Sequence, residues 1–344
     1  MPLEAVSHCT LALDGRRDEV DHIAFSRDGT ALFVGRYPTI FVVRVRDGAT
    51  LDEIDIGNPD IDPPEEDDDY SERVRAITES ADGATLFVLC ETMVSNNGDT
   101  FGWVQAHARD GGTRLWTVPS PDDEIPAPID EETGVTQVVC PPDGDRVALV
   151  SLDGVLFVSS RTGKKRATIV WSEDVSPYDH IASAAFDHEG ARLWLVWSPQ
   201  LRCYDAATRK LARIVETTED VALYDYEAAA LIDVRPSDGR LTVLTRDRGS
   251  LIVVGRDENT VAVRSLESRA FTAHALIEHG DRWVRARADG TGPVAIESLT
   301  DVRVLEDPSD APNAWSALAV HEGESLLVAR AHEAKLWVHR VVLD

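Results

Sequence analysis

No apolar run in this 344-residue chain approaches the roughly 18–20 residues that a membrane-crossing helix needs. Its first residues, Met1-Pro2-Leu3-Glu4-Ala5-Val6, carry neither a basic start nor an apolar stretch, so no secretory leader is read and the expected location is the cytoplasm. Cysteine is scarce. Cys9, Cys90, Cys140 and Cys203 lie far apart in separate apolar segments, without the spacing of metal ligands or a redox pair, which is the pattern of free buried thiols in a reducing compartment. Basic charge is short overall: 34 Lys and Arg stand against 61 Asp and Glu, for a net charge of −27. That balance argues against a nucleic-acid phosphate as the main ligand and against an anionic membrane surface, both of which are held by Lys and Arg. Lysine itself is almost missing, with Lys164, Lys165, Lys210 and Lys335 beside thirty arginines. Genome composition and adaptation to a salty habitat both produce such a bias.

What the chain does have is a repeat. Seven times a short apolar run ends in a polar turn and a second apolar run follows. The turns are Ser26-Arg27-Asp28-Gly29, Ser80-Ala81-Asp82-Gly83, Pro141-Pro142-Asp143-Gly144, Asp187-His188-Glu189-Gly190, Pro236-Ser237-Asp238-Gly239, Glu278-His279-Gly280 and His321-Glu322-Gly323. Their glycines are 54, 61, 46, 49, 41 and 43 residues apart, a period that belongs to circular arrays of small sheets. The first unit shows the grammar. Val20–Ser26, Ala31–Gly35 and Ile40–Val45 read as strands, and Thr50–Ile56 alternates with period two, like an edge strand with one wet face. Gly-bearing turns join the four into one antiparallel sheet.

The segment Ile23-Ala24-Phe25-Ser26-Arg27-Asp28-Gly29-Thr30-Ala31-Leu32-Phe33-Val34 resembles the core of WD40-type and YVTN-type propeller repeats. The last unit, from Ala317-Leu318-Ala319-Val320-His321-Glu322-Gly323 to Lys335-Leu336-Trp337-Val338, is similar to the same motif, with Trp337 where such repeats carry a third-strand tryptophan. The Gly-His dipeptide and a clean Trp-Asp pair are absent. The expected fold is all-β: a seven-bladed β-propeller with four antiparallel strands per blade, forming a single domain over 1–344, with blades at about 20–56, 73–118, 135–171, 181–215, 228–266, 271–305 and 315–343. The chain ends on a third strand without a fourth and begins with a strand, about 6–13, without partners. Pairing the two would close the ring and remove an open edge.

In such an architecture the connectors between blades share a face with the turns between second and third strands. Residues 57–72 hold eight acids and no base: Asp60, Asp62, Glu65, Glu66, Asp67, Asp68, Asp69 and Glu72. Residues 119–134 add Asp122, Asp123, Glu124, Asp130, Glu131 and Glu132, and the connectors at 172–180, 216–227 and 306–314 are also acidic and free of Lys and Arg. The turns on the opposite face carry Arg27, Arg46, Arg109, Arg161, Lys164, Lys165, Arg166, Arg209, Lys210 and Arg256. One expectation is a solvated loop that keeps an acidic protein soluble. The other is an acidic docking face, with Tyr70, Trp171, Tyr178, Tyr224, Tyr226 and Trp315 as aromatic anchors. Asp60, Asp62 and Glu65–Asp69 are hard oxygen ligands, but their spacing matches no calcium loop.

No hydrolase elbow, zinc-protease motif or phosphate-cradling loop is present. Asp21-His22-Ile23-Ala24 and Asp179-His180-Ile181-Ala182 recur in register, each opening an inner strand. They form a channel-mouth site in the alternative reading, a YVTN/lactonase-like enzyme, and repeated structural positions in the preferred one. The sequence therefore points to a non-enzymatic adaptor, monomeric on its own and without a cofactor, whose acidic face meets a basic protein partner. Nucleic acid and membrane are not expected as ligands.

Overall fold

The computed structural model describes residues 3–11, 20–57, 70–94, 100–119, 126–129, 134–170, 181–187, 189–197, 200–216 and 326–341, and, between 217 and 325, the strands alone. An N-terminal strand, Leu3–Thr10 (β1), precedes six sheets of four strands in chain order. The first sheet is His22–Phe25, Ala31–Arg36, Thr39–Arg44 and Thr50–Asp55 (β2–β5). The second is Tyr70–Glu79, Thr85–Val94, Thr100–Ala108 and Arg114–Val118 (β6–β9), and the third Gln137–Val139, Arg146–Ser151, Gly154–Ser159 and Lys165–Val170 (β10–β13). The fourth is Ile181–Phe186, Arg192–Trp197, Gln200–Asp205 and Leu211–Glu216 (β14–β17), and the fifth Leu231–Val234, Leu241–Leu244, Ser250–Val254 and Val261–Ser265 (β18–β21). The sixth is Phe271–Ile277, Arg282–Arg287, Ala295–Ser298 and Val302–Val304 (β22–β25). The last strands, Ala317–Glu322, Leu326–His332 and Lys335–Val341 (β26–β28), make a seventh sheet whose outer strand is β1. All pairings within the sheets are antiparallel, and β1 runs along β28 from Leu3 opposite Val341 to Thr10 opposite Lys335. The strand begins three residues ahead of the expected 6–13, and a bulge between Ala5 and Ser7 resets its register.

Period-two alternation explains why the middle strands read as unbroken apolar runs. In β3, Ala31 and Phe33 enter a core shared with the second sheet, whereas Leu32 and Val34 enter a core shared with the seventh. In β7, Leu86, Val88 and Cys90 face the first sheet while Phe87 and Leu89 face the third. In β11, Val147 and Leu149 face the second sheet while Ala148 and Val150 face the fourth. Each of these sheets is thus buried on both faces between its neighbours. The outer strands keep a wet face, as Leu51, Leu115 and Val170 show by their exposure.

The junctions repeat one packing rule. The first turn of each described unit closes with a left-handed glycine bonded back to the turn's start, as in Gly29 N to Ser26 O and Gly83 N to Ser80 O, with φ of 67° and 69°. A Cβ on Gly144 would stand 2.5 Å from the Ala81 methyl in the preceding sheet's turn, and one on Gly29 would stand 2.4 Å from the His321 ring of the seventh sheet. Turns between third and fourth strands lean on the preceding outer strand in the same way: Gly48 on Cys9, Gly112 on Ile54 and Gly163 on Trp116. The first sheet therefore rests on the last, and Ser7 Oγ donates to Val45 O across that junction. Further on, β14 touches β18 and β22 touches β26.

Candidate interaction surfaces

Polar side chains fix the junctions, and each does so differently. Between the first and second sheets Glu79 is almost fully buried. Its Oε2 accepts the Arg27 amide at 2.8 Å and its Oε1 accepts Arg109 Nη1 at 2.8 Å. The Arg109 guanidinium also lies 5.8 Å over the Phe33 ring of the first sheet. Between the second and third sheets the fastener is Trp116 Nε1, donating to Ser160 O at 3.0 Å, while Ser160 Oγ donates to Gly144 O at 2.8 Å within the third sheet. Between the third and fourth sheets, Arg146 donates to Ala206 O and Gly190 O, both at 3.1 Å, and stacks 5.8 Å from Phe157 and 5.9 Å from Phe186. Ala206 and Gly190 hold the places in their sheet that Ser160 and Gly144 hold in the one before. At one junction a guanidinium answers both carbonyls across the sheets; at the other an indole answers one, and a hydroxyl of the same sheet answers the second.

Of the channel-mouth residues, Asp21 and His22 are described. Asp21 Oδ2 accepts the Tyr37 amide of its own sheet and the Val74 amide of the next, both at 3.1 Å. Its carboxylate is a clamp between two sheets. Burial lowers the His22 pKa to about 4, so its imidazole is neutral at neutral pH. Asp179 and His180 lie outside the described residues. Among the described residues no group of three His, Cys, Asp or Glu is placed to hold a metal ion. The four thiols are unpaired by disulfides, and burial pushes the Cys140 thiol up to about 12.

The acidic docking residues Asp60, Asp62, Glu65, Glu66, Asp67, Asp68, Asp69, Asp122, Asp123, Glu124, Glu131 and Glu132, with Trp171, Tyr178 and Trp315, also lie outside the described residues. Tyr70 opens β6, and beside it the second sheet extends beyond a simple repeat. There β7 continues to Val94 and β8 starts at Thr100. On this extension Glu91, 8% exposed, receives Arg73 Nε at 2.6 Å and lies 3.5 Å from Arg75.

In the turns that carry the basic residues named from sequence the charges are mixed. The basic residues named from sequence share their turns with carboxylates that the alignment of bases alone leaves out. Asp28 accepts the Thr30 amide and the Ser26 hydroxyl, and these hydrogen bonds, the hydroxyl's first, hold its pKa down at about 2. Asp82, Asp47 and Asp205 cap their own turns through the amides of Ala84, Ala49 and Thr208. Sequence reading missed Glu79 and Arg146 as well, because a charged residue inside an apolar strand shows its partners only once sheets are stacked.

No protein-family model matches the chain, and no curated protein sequence matches it. Solved structures do. A chain from the crystal structure of the Mitotic Checkpoint Complex superposes with a TM-score of 0.67 at 12% identity, covering 99% of this chain and 92% of that one. Raptor of Chaetomium thermophilum gives a TM-score of 0.68 at 11% identity, over 99% of this chain but 29% of the Raptor chain. At such identities the likeness establishes the fold: an all-β chain of repeated four-stranded sheets.

Proposed function

We propose that the seven sheets close into a seven-bladed β-propeller that works as a non-enzymatic platform, with its acidic connectors docking a basic protein partner. The observation that carries the reading is the repeated lean of each described sheet on its predecessor, continued from the first sheet to the last through β1. A ring built this way holds many loops at fixed geometry, which is what a docking surface requires. The likeness to a chain from a multi-protein complex supports an interaction role. The absence of bases from residues 57–72, 119–134 and the other connectors supports a basic partner, steered by the field of a concentrated negative surface. Asp21 speaks for a structural role at the channel mouth, since two backbone amides occupy the carboxylate that a catalytic reading would need.

The test is a pull-down from native extract at low and high salt, with wild type beside a chain carrying Glu65, Glu66, Asp67, Asp68 and Asp69 all changed to Ser. A basic protein held by wild type at low salt and lost from the variant is the expected result. Equal capture by both chains would remove the connector from the binding surface.

A further inference from the structure

Three of the four lysines in the chain fall at equivalent turns of two neighbouring sheets: Lys164 in the turn from β12 to β13, Lys165 opening β13, where its Nζ donates to Ala127 O at 2.9 Å, and Lys210 in the turn from β16 to β17. Arg161, Arg166 and Arg209 stand with them, and all six side chains are exposed. In a chain of net charge −27 such a concentration is out of keeping with the rest. The two turns are neighbours. Asp145-Arg146 lies between them: Asp145 O accepts the Ser160 amide that opens the first turn, and Arg146 donates to Ala206 O, which opens the second.

The nearby carboxylates have partners, and one of them, Asp145, takes Arg166 from the cluster. Asp205 caps its own turn through the amides of Ala207 and Thr208, Asp143 pairs with Arg146 at 3.7 Å and Asp145 pairs with Arg166 at 3.6 Å. Among the described residues no hydrogen bond or ion pair engages the side chains of Arg161, Lys164, Arg209 or Lys210. Arg209 carries a second signal. Its φ is 61°, at the turn position where the first and third sheets have Gly48 and Gly163 at 70° and 64°. A long cationic side chain is kept where the backbone favours glycine. Beside the first turn a cavity of about 460 Å³ opens between the second and third sheets, with Arg161 and Arg166 lining it alongside Ser160, Asp82, Asp143 and Asp145.

We propose that these two turns form a second docking surface, for an acidic polypeptide segment. Separate carboxylates on flexible side chains can reach Arg161, Lys164, Arg209 and Lys210 while avoiding Asp82, Asp143 and Asp145 at the cavity. A continuous phosphate backbone cannot choose its spacing and meets those carboxylates and the negative whole-molecule field. The surface is opposite in sign to the acidic connectors.

Fluorescence anisotropy on the full chain tests it, with three labelled probes: the peptide of residues 57–72, its counterpart with every Asp and Glu changed to the amide, and a single-stranded RNA. The acidic peptide is expected to bind at low salt, the amide peptide and RNA much more weakly. Three surface charges together, reversed in Arg161→Glu/Lys164→Glu/Lys210→Glu, should weaken it about tenfold or more, while Lys335→Glu on the seventh sheet leaves it unchanged. Arg209→Gly separates docking from folding, because it should raise Tm and yet weaken the peptide. Equal affinity in the triple variant and wild type, RNA bound in preference to the peptide, or no binding of the acidic peptide at low salt would each overturn the proposal.

Discussion

Glu79 is buried in a junction where both carboxylate oxygens are answered, one by an amide of the neighbouring sheet and one by Arg109. Removing the arginine leaves a charge in a dry place. Arg109→Ala is therefore expected to cost about 3 kcal/mol, the range for breaking a buried pair from one side, measured as a lower denaturation midpoint at unchanged slope. Replacing both partners with leucine should cost less than the two single changes added together, because no orphaned charge remains. His22 gives a pH signature. Burial sets its folded pKa at about 4 against an ordinary 6.5, so the unfolded chain takes up the proton first. Its contribution to stability is complete above pH 6.5 and shrinks as the pH falls towards about 4. His22→Leu should flatten the stability curve across that window, and an unchanged curve would show that another group sets the slope. Asp28 acts in the same direction at lower pH: its contribution is complete above 3.8 and is lost as pH falls through about 2.

Strands and turns were more legible than contacts. The Asp-Gly turns at Gly29 and Gly83 could be read from sequence because a left-handed residue and a short capping side chain are local requirements, met within four residues. The fourth-strand pattern of β5 was readable for the same reason, since one wet face imposes period two. The junctions were not. Whether the buried residue before a turn is Glu79, Cys140 or Phe186 depends on what the adjacent sheet presents, and that adjacency spans some fifty residues of sequence. The outward extension of β7 and β8 was less legible, because cross-strand pairs such as Arg73 with Glu91 carry it. At this scale β1 is the element to remove. Its pairing leaves β28 with no free edge, and its Ser7 holds the first sheet to the last. Deleting residues 1–11 should remove Leu11 from the apolar core, expose β28 with Leu336 and Val338, lower Tm strongly and promote association at the bared edge. A truncated chain that melts like wild type and stays monomeric in light scattering would show that the seventh sheet stands on three strands.

The whole molecule is governed by its charge excess. Described ion pairs are mostly exposed, such as Arg46 with Asp47 at 3.4 Å, and pairs of this kind contribute about 0–1 kcal/mol each. Repulsion summed over a net −27 works against compactness in every part of the surface. Raising NaCl from about 0.01 M to about 1 M shortens the screening length from about 30 Å to about 3 Å, which erases weak pairs and repulsion together. Repulsion is the larger quantity here, so Tm should climb with salt, and the chain with Glu65–Asp69 changed to Ser should climb less. A falling Tm would mean that surface pairs outweigh the net charge. Docking must move the other way, because the attraction between connectors and a basic partner is screened over the same range. Salt should thus produce a more stable protein that binds less. If stability and binding rose together, the acidic connectors would not be the docking surface.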